Sequence, residues 1–212
     1  MVSTVEHLMA ALVMTGVDNA RIELRGAEVP ILDGSALPFV LGIQDVGLVE
    51  QAAPRSFLTP KQMLTFADGT GREIAIERSD ARTLSINYTA DFAHPLAGAT
   101  MFTAAVVTQN FFAKELAPAR TFGFLEQLPV LRQHGLARGS TLSNTVVIGD
   151  EVLNDRRFAD ECVRHKVLDL IGDLALLGRP LAGTIQASKT GHNFNRLVVE
   201  HYLTHPDQWL LI

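Results

Sequence analysis

Residues 156–177 place the strictest condition on how this chain can fold. At about 100° per residue, Val163, Val167, Leu170, Leu174 and Leu177 share one broad apolar stripe that needs a core to cover it. His165, Asp169 and Asp173 are spaced i, i+4 and i+8, and they run along a narrow stripe roughly opposite. A purely solvated stripe would be polar throughout, yet Phe158, Cys162 and Leu176 fall in the same sector. That sector is therefore predicted to face protein or a cleft. A His and an Asp one turn apart can both reach one ion from a single rigid helix, although most such pairs are only a polar face. Gly178-Arg179-Pro180 ends the helix.

The rest of the chain mixes both periodicities. Residues 3–15 read as a helix closed by Gly16, with Ser3-Thr4-Val5-Glu6 in the pattern of a capping box. Residues 20–25 alternate and predict a strand, and a short helix is expected over about 35–46. Further strands are predicted over 57–66, 72–77, 83–89 and 101–107, with Asp68-Gly69-Thr70-Gly71 as a hairpin turn between the first two. Helices over 108–116 and 125–134, strands over 144–148 and 181–187, and a last helix over 193–201 complete the pattern. Strand clusters followed by helices point to an α+β fold and not to a doubly wound sheet. The order helix, Gly turn, strand, Gly-bearing loop and helix occurs at 3–46 and again at 156–201, a weak internal echo.

Composition removes several function classes. The 212 residues suffice for one domain or two small ones. With 18 Lys and Arg against 23 Asp and Glu the net charge is −5, and no cationic excess exists to displace counterions from nucleic acid. A lone cysteine, Cys162, excludes a disulfide framework and a Cys-rich zinc ribbon, so any metal would need His and carboxylate ligands. The start has neither a basic nor an apolar leader region, and no apolar run approaches a membrane span, so a cytoplasmic chain with no transmembrane segment is expected. Walker, G-x-G-x-x-G and G-x-S-x-G patterns are missing.

Two more segments carry candidate chemistry. In Glu6-His7, the histidine can be a third ligand with Glu6 beside it as a base, or Glu6 can simply cap its helix and His7 sit on the surface. In Lys189-Thr190-Gly191-His192-Asn193, a histidine just after Gly at a helix start can project from a loop into a cleft, or be an exposed loop residue. His94, His134, His201 and His205 have no comparable neighbours.

Taken together, five blocks resemble one enzyme family in order and with compatible spacing. They are residues 3–12 around Glu6-His7, Ile31-Leu32-Asp33-Gly34-Ser35-Ala36, Ala119-Arg120-Thr121-Phe122-Gly123-Phe124, residues 158–174, and residues 189–193. The family is UDP-3-O-acyl-N-acetylglucosamine deacetylase, the zinc amidase of bacterial lipid A biosynthesis. The resemblance implies two similar α+β domains, each with a sheet and helices packed as layers. Residues 1–53 would be the C-terminal half of domain I, lacking that domain's opening strands. Residues 54–212 would be domain II, with a βαβ insert at about 123–148.

The same resemblance implies a role for each matching residue. His7, His165 and Asp169 would ligate Zn2+. Glu6 would be the general base, and His192, kept charged by Asp173, the acid. Thr121 would donate to the oxyanion, while Lys166 and Phe122 would touch substrate. Leu125, Leu128, Val130 and Leu131 would line a passage for the acyl chain, though they suit a plain amphipathic helix equally. Independently of the resemblance, the net charge of −5 is no objection to a UDP-sugar, because local cations such as Lys166 and Lys189 can meet a UDP group. The implied reaction removes acetate from UDP-3-O-(3-hydroxyacyl)-N-acetylglucosamine, in a monomer. The alternatives are a homologue that binds metal or UDP-sugar without turnover, and a His/Asp metal amidase for another N-acyl sugar.

Overall fold

The computed structural model describes residues 2–212. Its centre is a five-stranded mixed sheet built from β2 (Leu64–Ala67), β3 (Glu73–Arg78), β4 (Leu84–Asp91), β5 (Ala99–Ala104) and β8 (Gly183–Ser188), in the order β2-β3-β8-β4-β5. β8 runs parallel to β4 and antiparallel to β3. The register lines up two apolar rows across all five strands. One is Leu64, Ile76, Ile185, Ile86 and Ala104; the other is Phe66, Ile74, Ala187, Tyr88 and Phe102. This is the alternation legible in the sequence, with one face buried.

That face is covered by α5 (Glu161–Leu174), whose Val163, Val167, Leu170 and Leu174 join the sheet residues in a single core. α1 (Glu6–Thr15) packs on α5, and α2 (Leu37–Val46) packs on α1. α6 (His192–Thr204) lies beside α5. The chain is thus α+β, and α5 is buried from both sides. The crossing with α1 is tight at Gly172, where a Cβ would stand 2.0 Å from the carbonyl oxygen of Glu6.

Smaller elements complete the chain. β1 (Leu58–Pro60) pairs antiparallel with β9 (Trp209–Leu211). α3 (Gln109–Phe111) widens into a π-helical turn over Phe112–Leu116. β6 (Phe122–Phe124), α4 (Leu128–Gln133) and β7 (Val146–Ile148) form a strand–helix–strand unit with the two strands parallel. The Asp68 hairpin turn forms between β2 and β3, with Asp68 Oδ1 accepting from the Thr70 amide and hydroxyl.

Several expectations are corrected. Residues 20–25 form no strand. Their alternation is real, but no segment among the described residues pairs with them, and Ile22 is exposed. The capping box does not form either. Thr4 takes φ 56 and its hydroxyl donates to Glu28, so α1 starts at Glu6 without a side-chain cap. The entry to α1 is held by the backbone, through Ser3 N to Ala27 O at 2.9 Å and Val29 N to Ser3 O at 3.1 Å. The predicted strand over 57–66 is two strands, and α5 begins at Glu161 and not at 156. Strand β9, three residues long, was not predicted, and β6, also three residues, was expected only as the opening strand of the βαβ insert that the resemblance implies.

Candidate metal centre

The crossing of α1 on α5 builds the site. His7, in the first turn of α1, is buried beside His165 and Asp169 of α5, and one donor atom from each lies within 4.8 Å of the others. The two imidazoles meet edge to face with centroids 4.9 Å apart. His165 Nε2 is 3.3 Å and His7 Nε2 is 3.8 Å from Asp169 Oδ1.

These contacts call for a cation. His165 Nδ1 is 3.0 Å from the carbonyl of Ala119, which can only accept, so Nδ1 carries the proton and donates. Burial holds the His165 pKa below its ordinary value against the pull of Asp169, which leaves a lone pair on Nε2 facing a carboxylate oxygen. Burial, then the neighbouring His165, pushes His7 down to about 4. Burial favours the neutral Asp169, but His165, Lys166 and the other histidines outweigh it and hold the carboxyl well below the usual range. Asp169 Oδ1 and His7 Nδ1 are buried without a hydrogen-bond partner, a costly state for polar atoms. Donor atoms around a tetrahedral Zn2+ at about 2.0 Å stand about 3.3 Å apart. The residues present therefore fit such an ion, and the Ala119 carbonyl orients one imidazole as an outer partner should.

A second group flanks the three. His192, the first residue of α6 and exposed, donates from Nδ1 to Asp173 Oδ2 at 2.9 Å. This hydrogen bond raises its pKa to about 9, against the opposing effect of its partial burial. Asn195 Nδ2 also donates to Asp173 Oδ2, at 2.7 Å. His192 Nε2 stands 3.9 Å from Asp169 Oδ2, and Glu6 completes a cluster with Asp169 and His192 whose donor atoms lie within 4.8 Å. The site thus holds the Glu6 carboxyl group and the His192–Asp173 pair beside three converging donors.

The other expected residues divide. Phe122 lies edge-on to His165 at 6.2 Å. Thr121 is half-buried, with its amide donating to Gly34 O at 2.7 Å and its carbonyl accepting from Val146 N at 2.8 Å. The Lys166 ammonium is tied to Asp169 Oδ2 at 2.7 Å, and Lys189 is paired with Asp91. Leu125 and Val130 are exposed and Leu128 and Leu131 half-buried, so their helix leaves an apolar surface uncovered. Burial pushes the Cys162 thiol up to about 11, which removes thiolate chemistry from the site. Asn195 and the Ala119 carbonyl were missed from the sequence. Asn195 sits one turn after His192, a signal visible only once α6 is known to start at His192; a carbonyl has no sequence signature.

The comparisons with known proteins point the same way. The profile of the UDP-3-O-acyl N-acetylglycosamine deacetylase family (LpxC) matches residues 1–204. A UDP-3-O-acyl-N-acetylglucosamine deacetylase of Syntrophotalea carbinolica is 46% identical over the whole chain, which covers 68% of that protein. Proteins of the same name from Citrifermentans bemidjiense and Myxococcus xanthus are each 44% identical over the whole chain, which covers 69% and 67% of them.

Proposed function

The chain belongs to the UDP-3-O-acyl N-acetylglycosamine deacetylase family, and from that premise we propose that it hydrolyses the N-acetyl group of UDP-3-O-(3-hydroxyacyl)-N-acetylglucosamine. The products are acetate and the free amine, and the step commits the sugar to lipid A biosynthesis. The observation that carries this function is the meeting of His7, His165 and Asp169 beside Glu6 and the His192–Asp173 pair.

His7, His165 and Asp169 would hold zinc. When bound, the ion supplies Lewis acidity to the amide carbonyl and to water. The Glu6 carboxylate takes a proton from the attacking water. The Thr121 hydroxyl donates to the carbonyl oxygen as negative charge develops there. The His192 imidazolium gives its Nε2 proton to the leaving nitrogen, because an amine must leave protonated. Asp173 accepts the opposite, Nδ1 proton of the ring, which orients the imidazolium and keeps it charged, and Asp173 is itself held by Asn195.

Substrate contacts follow from position. Phe122 and Lys166 border the three donors, and the uncovered apolar side chains of α4 suit an acyl chain. We divide the chain at about residue 53, into the α1–α2 part of a first domain and a second domain at 54–212 with its insert at about 123–148. We propose that it acts on its UDP-sugar as a cytoplasmic monomer; no helix among the described residues is long and apolar enough to cross a membrane.

The test is acetate release from the UDP-linked substrate by the zinc-loaded chain, beside Glu6→Ala. Release by the wild type, lost in a variant that keeps its zinc, supports the function. Zinc binding without release by the wild type would instead describe a binding homologue, and equal release from a sugar lacking UDP or the 3-O-acyl group would describe a broader amidase.

A further inference from the structure

Glu161 is completely buried, and the chemistry above gives it no part. It stands one turn before His165 and two before Asp169, on the same stripe of α5. A buried carboxylate persists only where donors surround it. Glu161 accepts from the Arg120 amide at 3.0 Å, from Arg120 Nε at 2.9 Å, from Arg120 Nη2 at 3.3 Å and from the Arg157 amide at 2.7 Å. Arg120 is itself buried, and its Nη2 also donates to the Asp155 carbonyl.

The position of Arg120 gives the pair its meaning. On one side is Ala119, whose carbonyl receives the His165 Nδ1 proton. On the other is Thr121, whose backbone is tied to Gly34 and Val146. The first turn of α5 thus grips residues 119–121, and the same helix carries the donors those residues must meet. Desolvation offsets much of the attraction within a buried ion pair, so stability alone is a weak reason for one. A guanidinium fork on a carboxylate, by contrast, fixes direction.

We propose that the Glu161–Arg120 pair is a positioning device for the metal centre. It fixes the Ala119 carbonyl, and through it the Nδ1-protonated tautomer and ring plane of His165, while holding Thr121 in register with them. The inference rests on the zinc deacetylase function proposed above.

Glu161→Gln keeps the shape and removes the charge; Arg120→Lys keeps the charge and removes the fork. Three quantities are read on the full chain: zinc affinity by competition with a chromophoric chelator, kcat and KM for acetate release, and the His165 tautomer by nitrogen NMR of the metal-free protein. Zinc affinity is expected to fall on the order of 10- to 100-fold in each variant. kcat falls while KM changes less than about twofold, and His165 becomes a mixture of tautomers. Wild-type zinc affinity together with an unchanged tautomer in both variants would overturn the proposal and leave the pair a structural one. If Glu161→Gln does not fold, Arg120→Lys and the charge-free double variant Arg120→Gln/Glu161→Gln decide by the same tautomer measurement. A wild-type chain that binds no zinc would count against the proposed function, whereas the tautomer would still report on the pair.

Discussion

The carbonyl oxygen of Glu6 lies against the α-carbon of Gly172, so close that a Cβ there would stand 2.0 Å from it. With no side chain between them, α1 and α5 cross at backbone distance, and that crossing brings His7 Nε2 to 3.8 Å from Asp169 Oδ1. A glycine inside a helix costs about 1 kcal/mol relative to alanine. Here the close approach explains its presence.

Gly172→Ala therefore sets two effects of opposite sign against each other. Helix propensity alone would stabilise the chain by about 1 kcal/mol. Overlap with the Glu6 carbonyl, relieved only by moving α1 away, is expected to win and to destabilise by about 2 kcal/mol net. Urea unfolding of the metal-free protein reads the sign, and a zinc titration of the same variant should show weaker binding. A stabilised variant with unchanged zinc affinity would show that the crossing does not set the ligand spacing.

Zinc content tests the three donors directly. About one zinc per chain is expected for the wild type, and His7→Ala and His165→Ala should each lose it on dialysis. The ion should also leave on acidification. Burial and His165 hold the His7 pKa at about 4, so in the folded chain His7 stays neutral well below its ordinary value. The unfolded chain takes up its proton first, and stability falls as pH drops from about 6.5 toward 4. Retention of zinc by His165→Ala would remove His165 from the ligand set.

Glu6→Gln separates base from ligand. Glu6 shares a cluster with Asp169 and His192, but the buried trio forms without it. The variant should keep its zinc and its fold while kcat drops by roughly 10²- to 10⁴-fold. Loss of zinc along with turnover would make Glu6 a ligand instead.

What could be read of the fold from the residues themselves followed from periodicity, whereas the roles of His7, Glu6, Thr121 and His192 came with the family resemblance. The α5 stripes and the alternation of Ile86, Tyr88 and Ala90 fix which side chains share a face, whatever packs on them. Alternation says nothing about whether a partner strand exists, and residues 20–25 have none among those described. The four-residue capping pattern failed because Thr4 turns to φ 56 and bonds Glu28, a residue distant in sequence. Glu161 escaped notice for a related reason. Beside Asp160 it looks like an ordinary acidic first turn, and only the approach of Arg120, 41 positions away, makes it a buried group.

His192 offers the sharpest pH test. Its hydrogen bond to Asp173 raises its pKa to about 9, above the roughly 6.5 of an unfolded histidine. The imidazolium's contribution to stability is therefore complete below about 6.5 and lost as pH rises through 9. An acid that must donate its proton gives an alkaline limb in the pH–rate profile, and the pair should keep that limb well above 6.5. Asp173→Asn preserves the shape and can still accept from His192, but it removes the charge. In the metal-free variant the His192 titration followed by NMR should move down from about 9 toward its ordinary value, and the alkaline limb of the zinc enzyme should move the same way. The two observations must shift together. A limb that stays in place while the NMR titration falls would assign the acid role to another group, with Lys166, held against Asp169, the nearest alternative donor.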